Sequence, residues 1–138
     1  VNIAAAASGR VTGGGVGVMP TTNASTIYKP ASTEAIVFVC DDPDVIFQIQ
    51  GDGGGTALTA DTVGFNAQLI VGTGSTVTGQ SGWAMDEGTT NVPTTTNTWQ
   101  LHILNLANIT GNEIGDYGIW EVLINQHTYR PNLSLGIA

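Results

Sequence analysis

The sequence predicts an all-β domain, a small barrel or sandwich that follows an extended N-terminal arm. Two long runs, Thr98–Leu106 and Tyr117–Asn125, alternate residue types with the period of two that a half-buried strand requires. Shorter apolar runs recur between clusters of Gly, Pro, Asp and Ser, the punctuation of turns. Only Leu58–Val63 invites a helical turn, with Thr59 placed to cap it and Asp61 in its first turn.

The two long runs are the centre of the domain. In the first, Trp99, Leu101 and Ile103 share a face and Gln100 and His102 point the other way. In the second, Trp120, Val122 and Ile124 share a face, while Glu121 and Asn125 alternate with Ile119 and Leu123 opposite, so part of this strand is expected to be buried on both sides. The polar stretch Asn108–Asp116 joins them.

Residues 1–34 are dominated by small and polar types, with Gly13–Gly15, Pro20 and Pro30 as breaks. They read as an arm with one short strand near Val16–Met19, ordered by a neighbouring subunit or by the domain's own edge. Removing Val1–Tyr28 is therefore expected to leave a folded domain. Residues 35–138 read as one β domain. Its first strand, Ala35–Cys40, stops at Asp41-Asp42-Pro43-Asp44; its second, Val45–Gln50, stops at Gly51–Gly55. Ala67–Val71 and Ser81–Met85 are two more strands, and Asp86–Thr96 is a polar connector. His127–Ala138 is a tail in which Pro131 ends any pairing.

With 138 residues the chain can bury roughly two thirds of its unfolded surface in one core. Charged residues make up 10% of it and the formal net charge is −8, with Arg10, Lys29 and Arg130 as the strong bases. That balance leaves no basic patch for phosphates, which argues against direct nucleic-acid binding and against docking on an anionic membrane. No run is long enough to span a membrane as a helix. Residues 1–8 lack the basic leader of a signal sequence. Cys40, the single cysteine, forms no internal disulfide and reads as a small buried thiol.

Several groups imitate chemistry. Asp41, Asp42 and Asp44, with Asp52 further on, carry the oxygen ligands of a hard cation, but Pro43 stiffens the turn and the twelve-residue calcium-loop spacing is absent; they read as turn-forming residues. Glu113 and Asp116 read as a solvated turn, with no sugar-binding aromatics beside them. His102 and His127 lie on or beside strands with no nucleophile elbow, so no catalytic residue is assigned. Cys40 and the histidines lack paired zinc-ligand spacing, the glycine runs lack the lysine of a phosphate loop, and no metal or cofactor is expected. Asn23, Asn108 and Asn132 match the glycosylation acceptor pattern, which arises by chance in a Ser- and Thr-rich chain.

Three segments carry a likeness to known proteins: Asp41–Gln50; Asn66–Gly82; and Leu101–Leu106 running through Asn112-Glu-Ile-Gly-Asp116 to Trp120–His127, of which the Asn-Glu-Ile-Gly loop and the closing Ile-Asn-Gln-His are the most specific. Over about residues 35–128 the chain resembles the capsid decoration, or cement, proteins of tailed bacteriophages. The resemblance implies a barrel or β-tulip-like virion protein without enzymatic activity. Such a protein sits on the outer capsid surface of particles assembled in the host cytoplasm. It binds the major capsid protein, commonly as a homotrimer at local threefold positions, and braces the shell against genome pressure. Two other readings compete: an adhesion or fibre module holding host glycans on Trp83, Trp99 or Trp120, and a small hydrolase built on His102 or His127. The alternation of the long runs places Trp99 and Trp120 in the core, away from any glycan.

Overall fold

The computed structural model describes residues 9–21, 27–55, 58–130 and 136. The protein is all-β, built from several small antiparallel sheets, with no closed barrel among the described residues. Its strands are β1 (Gly14–Val18), β2 (Val37–Cys40), β3 (Phe47–Gln50), β4 (Asn66–Ala67), β5 (Leu69–Ile70), β6 (Ala84–Met85), β7 (Leu101–Leu106) and β8 (Ile119–Ile124). A 3-10 turn, Ala60–Thr62, falls where the helical turn was expected, yet Thr59 makes no side-chain cap; its carbonyl accepts Thr62 N–H instead.

The centre is a four-stranded sheet ordered β3-β8-β7-β4. β8 runs between β3 and β7, pairing Phe47 with Val122 on one side and Leu101 with Ile124 on the other. Its predicted inner face is confirmed: Trp120, Val122 and Ile124 are buried and pack with Leu101, Ile103, Leu58, Leu69, Met85 and Val11. Opposite them, Ile119, Glu121 and Leu123 are half-buried. A register shift between Ile103 and Asn105 bulges β7 and leaves Asn105 exposed.

Two expectations need correction. Trp99 is half-buried and precedes the strand, which begins only at Leu101; the chain bends through residues 97–100, and the alternation does not extend back across the bend. Gln100 is buried in its place. Its carbonyl accepts Asn125 N–H at 2.7 Å and Gln126 N–H at 3.2 Å, and its Oε1 accepts Leu69 N–H at 3.3 Å. The strand foreseen over residues 67–71 is divided: Ala67 pairs with β7, and after Gln68 the chain turns to pair Leu69 with Met85 of β6.

The described part of residues 1–34 lies on the protein's own domain. Val11 is buried in the core, its N–H donates to Gln126 O at 2.8 Å and its carbonyl accepts Thr128 N–H at 3.0 Å, so the strap extends the end of β8. Arg10 fastens it by donating to the carbonyls of His127 at 2.8 Å and Arg130 at 3.0 Å, and Arg130 reaches on to Asp44. Val11 thus ties the first 28 residues to the core, and their removal takes a buried side chain from it.

Amide side chains do much of the joining. Asn66 Nδ2 donates to Thr96 O, Asn125 Nδ2 to Asn97 O and Trp99 O, each at 3.0 Å. These are buried groups that need partners and close loops by finding them.

Candidate functional site

β1 and β2 form a two-stranded ribbon outside the four-stranded sheet. Its root is fixed where Gly14 meets the ring of Phe47, so closely that a Cβ at Gly14 would lie 2.8 Å from Phe47 Cε1. Beyond the root the described residues leave the ribbon uncovered. β1 is mostly glycine, so Phe38 faces Gly17 and Val39 faces Gly15 with no cross-strand side chain over them. A register shift throws Val16 outward. Val16, Ile36, Phe38 and Met19 are consequently exposed, at 69%, 58%, 49% and 41%. Strand edges without charge or proline are open to a further strand, and a lone two-stranded ribbon is marginal in water. Under the root lies an apolar hollow of about 260 Å³, lined by Val11, Phe47, Leu69, Trp83, Leu101 and Ile124 among others.

The groups that imitate chemistry are dispersed. Asp42 Oδ1 accepts Asp44 N–H at 2.9 Å, Asp44 meets Arg130, and Asp52 Oδ1 accepts Gly54 N–H at 3.0 Å and Glu87 N–H at 2.9 Å. No group of three His, Cys, Asp or Glu that could hold a metal ion occurs among the described residues. Glu113 and Asp116 are exposed beside a polar hollow formed by residues 111–118. Cys40 is half-buried at the end of β2.

The histidines occupy unrelated places. His102 Nδ1–H donates to Asn66 Oδ1 at 2.8 Å, and burial pulls its pKa below the usual 6.5. His127 is fully buried, its Nδ1 accepts Tyr129 N–H at 3.0 Å, and its Nε2 has no partner among the described residues. Among the described residues neither ring bonds a hydroxyl or a thiol. Of the tryptophans, Trp120 is fully buried, its Nε1 without a partner among the described residues, and Trp83 and Trp99 are half-buried, Trp83 on the wall of the apolar hollow. Asn108 is exposed; Asn23 and Asn132 lie outside the described residues. No described helix is long and apolar enough to cross a membrane.

Sequence reasoning missed Glu87. Foreseen as part of a polar connector, it is fully buried beside Gly51, with Oε2 accepting Gly53 N–H at 3.1 Å and Oε1 without a partner among the described residues. Burial is the largest cause that pushes its pKa up to about 7; the Gly53 N–H opposes the rise, and the charges of Asp52 and Asp116 add to it. Its signal in the sequence was slight: an acidic pair, Asp86-Glu87, directly after the apolar run that ends at Met85.

No protein-family model matches the chain. Neither a characterised protein nor a solved structure is found similar to it.

Proposed function

We propose that the chain is a structural virion protein, a capsid decoration or cement protein that binds the outer face of the major capsid protein shell, as a homotrimer, and stabilises the shell against genome pressure. The observation that carries this reading is the uncovered β1–β2 ribbon, with Val16, Met19, Ile36 and Phe38 exposed on a protein that is otherwise poor in charge. An apolar ribbon with open edges gains most from a partner that completes it, by backbone pairing along the edge and by burying Phe38 and Ile36. A shell repeats one modest contact many times, so about 800 Å² per partner suffices when copies bind together. The resemblance read from the sequence over residues 35–128 is what names a capsid shell as that partner.

The test is co-sedimentation of purified protein with expanded capsids that lack it. The wild type is expected to pellet with the shells, and a Val16→Ser, Phe38→Ser variant with unchanged circular dichroism is expected to stay in the supernatant. Equal pelleting of both would remove the ribbon from the contact; failure of the wild type to pellet would remove the capsid reading.

A further inference from the structure

Three loops converge at one end of the four-stranded sheet, and the carboxyl of Glu87 lies where they meet. From the Gly51–Gly55 turn, Gly53 N–H donates to Glu87 Oε2 at 3.1 Å, and Asp52 Oδ1 accepts Glu87 N–H at 2.9 Å. Gly51 runs so close that a Cβ on it would lie 1.6 Å from Glu87 Oε1. The 111–118 loop brings Tyr117 against Gly53, where a Cβ would lie 2.4 Å from Tyr117 Cζ, and places Asp116 near enough for its charge to be felt by Glu87. Asp86 adjoins Glu87 on its own loop, bonded to Gly88 N–H and to Asn91 Nδ2.

Every charged neighbour of Glu87 is thus acidic. The strong bases are engaged elsewhere: Arg10 with the carbonyls of His127 and Arg130, Arg130 with Asp44, Lys29 with Pro30 O. A charge on this carboxyl would be shut away from water, would lack a donor at Oε1 and would face only other carboxylates.

We propose that the neutral Glu87 carboxyl is the closed state of a proton-operated clasp joining the Gly51–Gly55 turn, the loop around residues 85–91 and the 111–118 loop, and that ionising it lets these loops part. In the closed clasp the carboxyl lies on Gly51 and holds Gly53 N–H. Loss of the proton drives the carboxylate towards water, and the bonds to Gly53 and Asp52 break with it. β7 and β8 remain paired, so the opening is local. The clasp stands apart from capsid binding and holds whether or not the ribbon docks on a shell.

The test is carbon-detected titration of the Glu87 carboxyl in the intact chain, together with amide hydrogen exchange at Gly53 and Glu87. A midpoint near 7 is expected. The opening constant at both amides should rise about tenfold per pH unit across pH 5 to 7, and should stay flat in Glu87→Gln. A midpoint in the ordinary carboxylate range, or the same pH dependence in Glu87→Gln, would overturn the clasp. Should that variant fail to fold, the wild-type titration decides alone.

Discussion

Asn112 and Ile119 hold each other by a reciprocal pair of hydrogen bonds: Asn112 Nδ2 donates to Ile119 O at 2.8 Å and Ile119 N–H donates to Asn112 Oδ1 at 2.9 Å. Nδ2 also reaches Ala107 O at 2.8 Å, so a single amide closes the loop between β7 and β8. Asn112→Ala leaves Ile119 N–H without its partner and is expected to cost about 2 kcal/mol in urea denaturation. Asn112→Asp keeps the acceptor, loses both donated bonds, and is expected to be damaging too. A loss under about 0.5 kcal/mol for Asn112→Ala would show that water replaces the side chain.

Trp120 is the largest fully buried side chain of the sheet, and its Nε1 finds no partner among the described residues. Trp120→Ala is expected to lower stability by about 3 to 5 kcal/mol, read as a thermal melt. Trp120→Phe removes the unpartnered N–H with part of the ring, and is expected to cost less. A Trp120→Ala melt within a degree or two of wild type would contradict the burial.

Gly51 has no room for a side chain. Gly51→Ala is expected to cost about 2 kcal/mol through overpacking against Glu87, and the double variant Gly51→Ala, Glu87→Ala is expected to recover part of it. Strict additivity in this double-mutant cycle would mean that the two residues do not touch.

Arg130 and Asp44 form an ion pair whose Asp side chain is 79% exposed. Asp44→Ala is therefore expected to change stability by less than about 1 kcal/mol. Val11→Ser, by contrast, removes a core methyl pair and buries a hydroxyl, and is expected to cost about 2 kcal/mol. Chemical denaturation of the two variants side by side ranks ion pair against core.

Stability against pH carries two opposed contributions. Glu87 has its folded pKa raised from 4.5 to about 7, so the folded state binds the extra proton in that window. Its contribution is full below 4.5 and is lost as pH rises to about 7, amounting to at most about 3 kcal/mol and limited further by local opening. His102 is lowered below 6.5, so the unfolded state binds the extra proton and stability falls as pH drops under that value. Urea midpoints across pH 4 to 8 are expected to rise on the alkaline side in Glu87→Gln and on the acid side in His102→Asn.

The sequence announced β8 well, because alternating Trp120, Val122 and Ile124 can satisfy one buried face in only one way. It announced Trp99 badly. Periodicity says which residues share a face, and is silent on where the strand begins, which here is settled by Asn125 taking the carbonyls of Asn97 and Trp99. Gln100 and Glu87 were invisible for a different reason: a polar residue is buried only when distant backbone, such as Leu69 N–H or Gly53 N–H, comes to meet it. The exposed ribbon was half legible, since the glycines that leave Phe38 bare stand in the sequence, but the pairing that sets Phe38 opposite Gly17 does not.

Cys40 closes β2 and is the one sulfhydryl in the chain. A maleimide fluorophore would therefore attach at a single point on the ribbon, with no cysteines to engineer away. The dye would stand where Gly14 pairs with Cys40, two residues along β2 from exposed Phe38, and so would report from the ribbon itself.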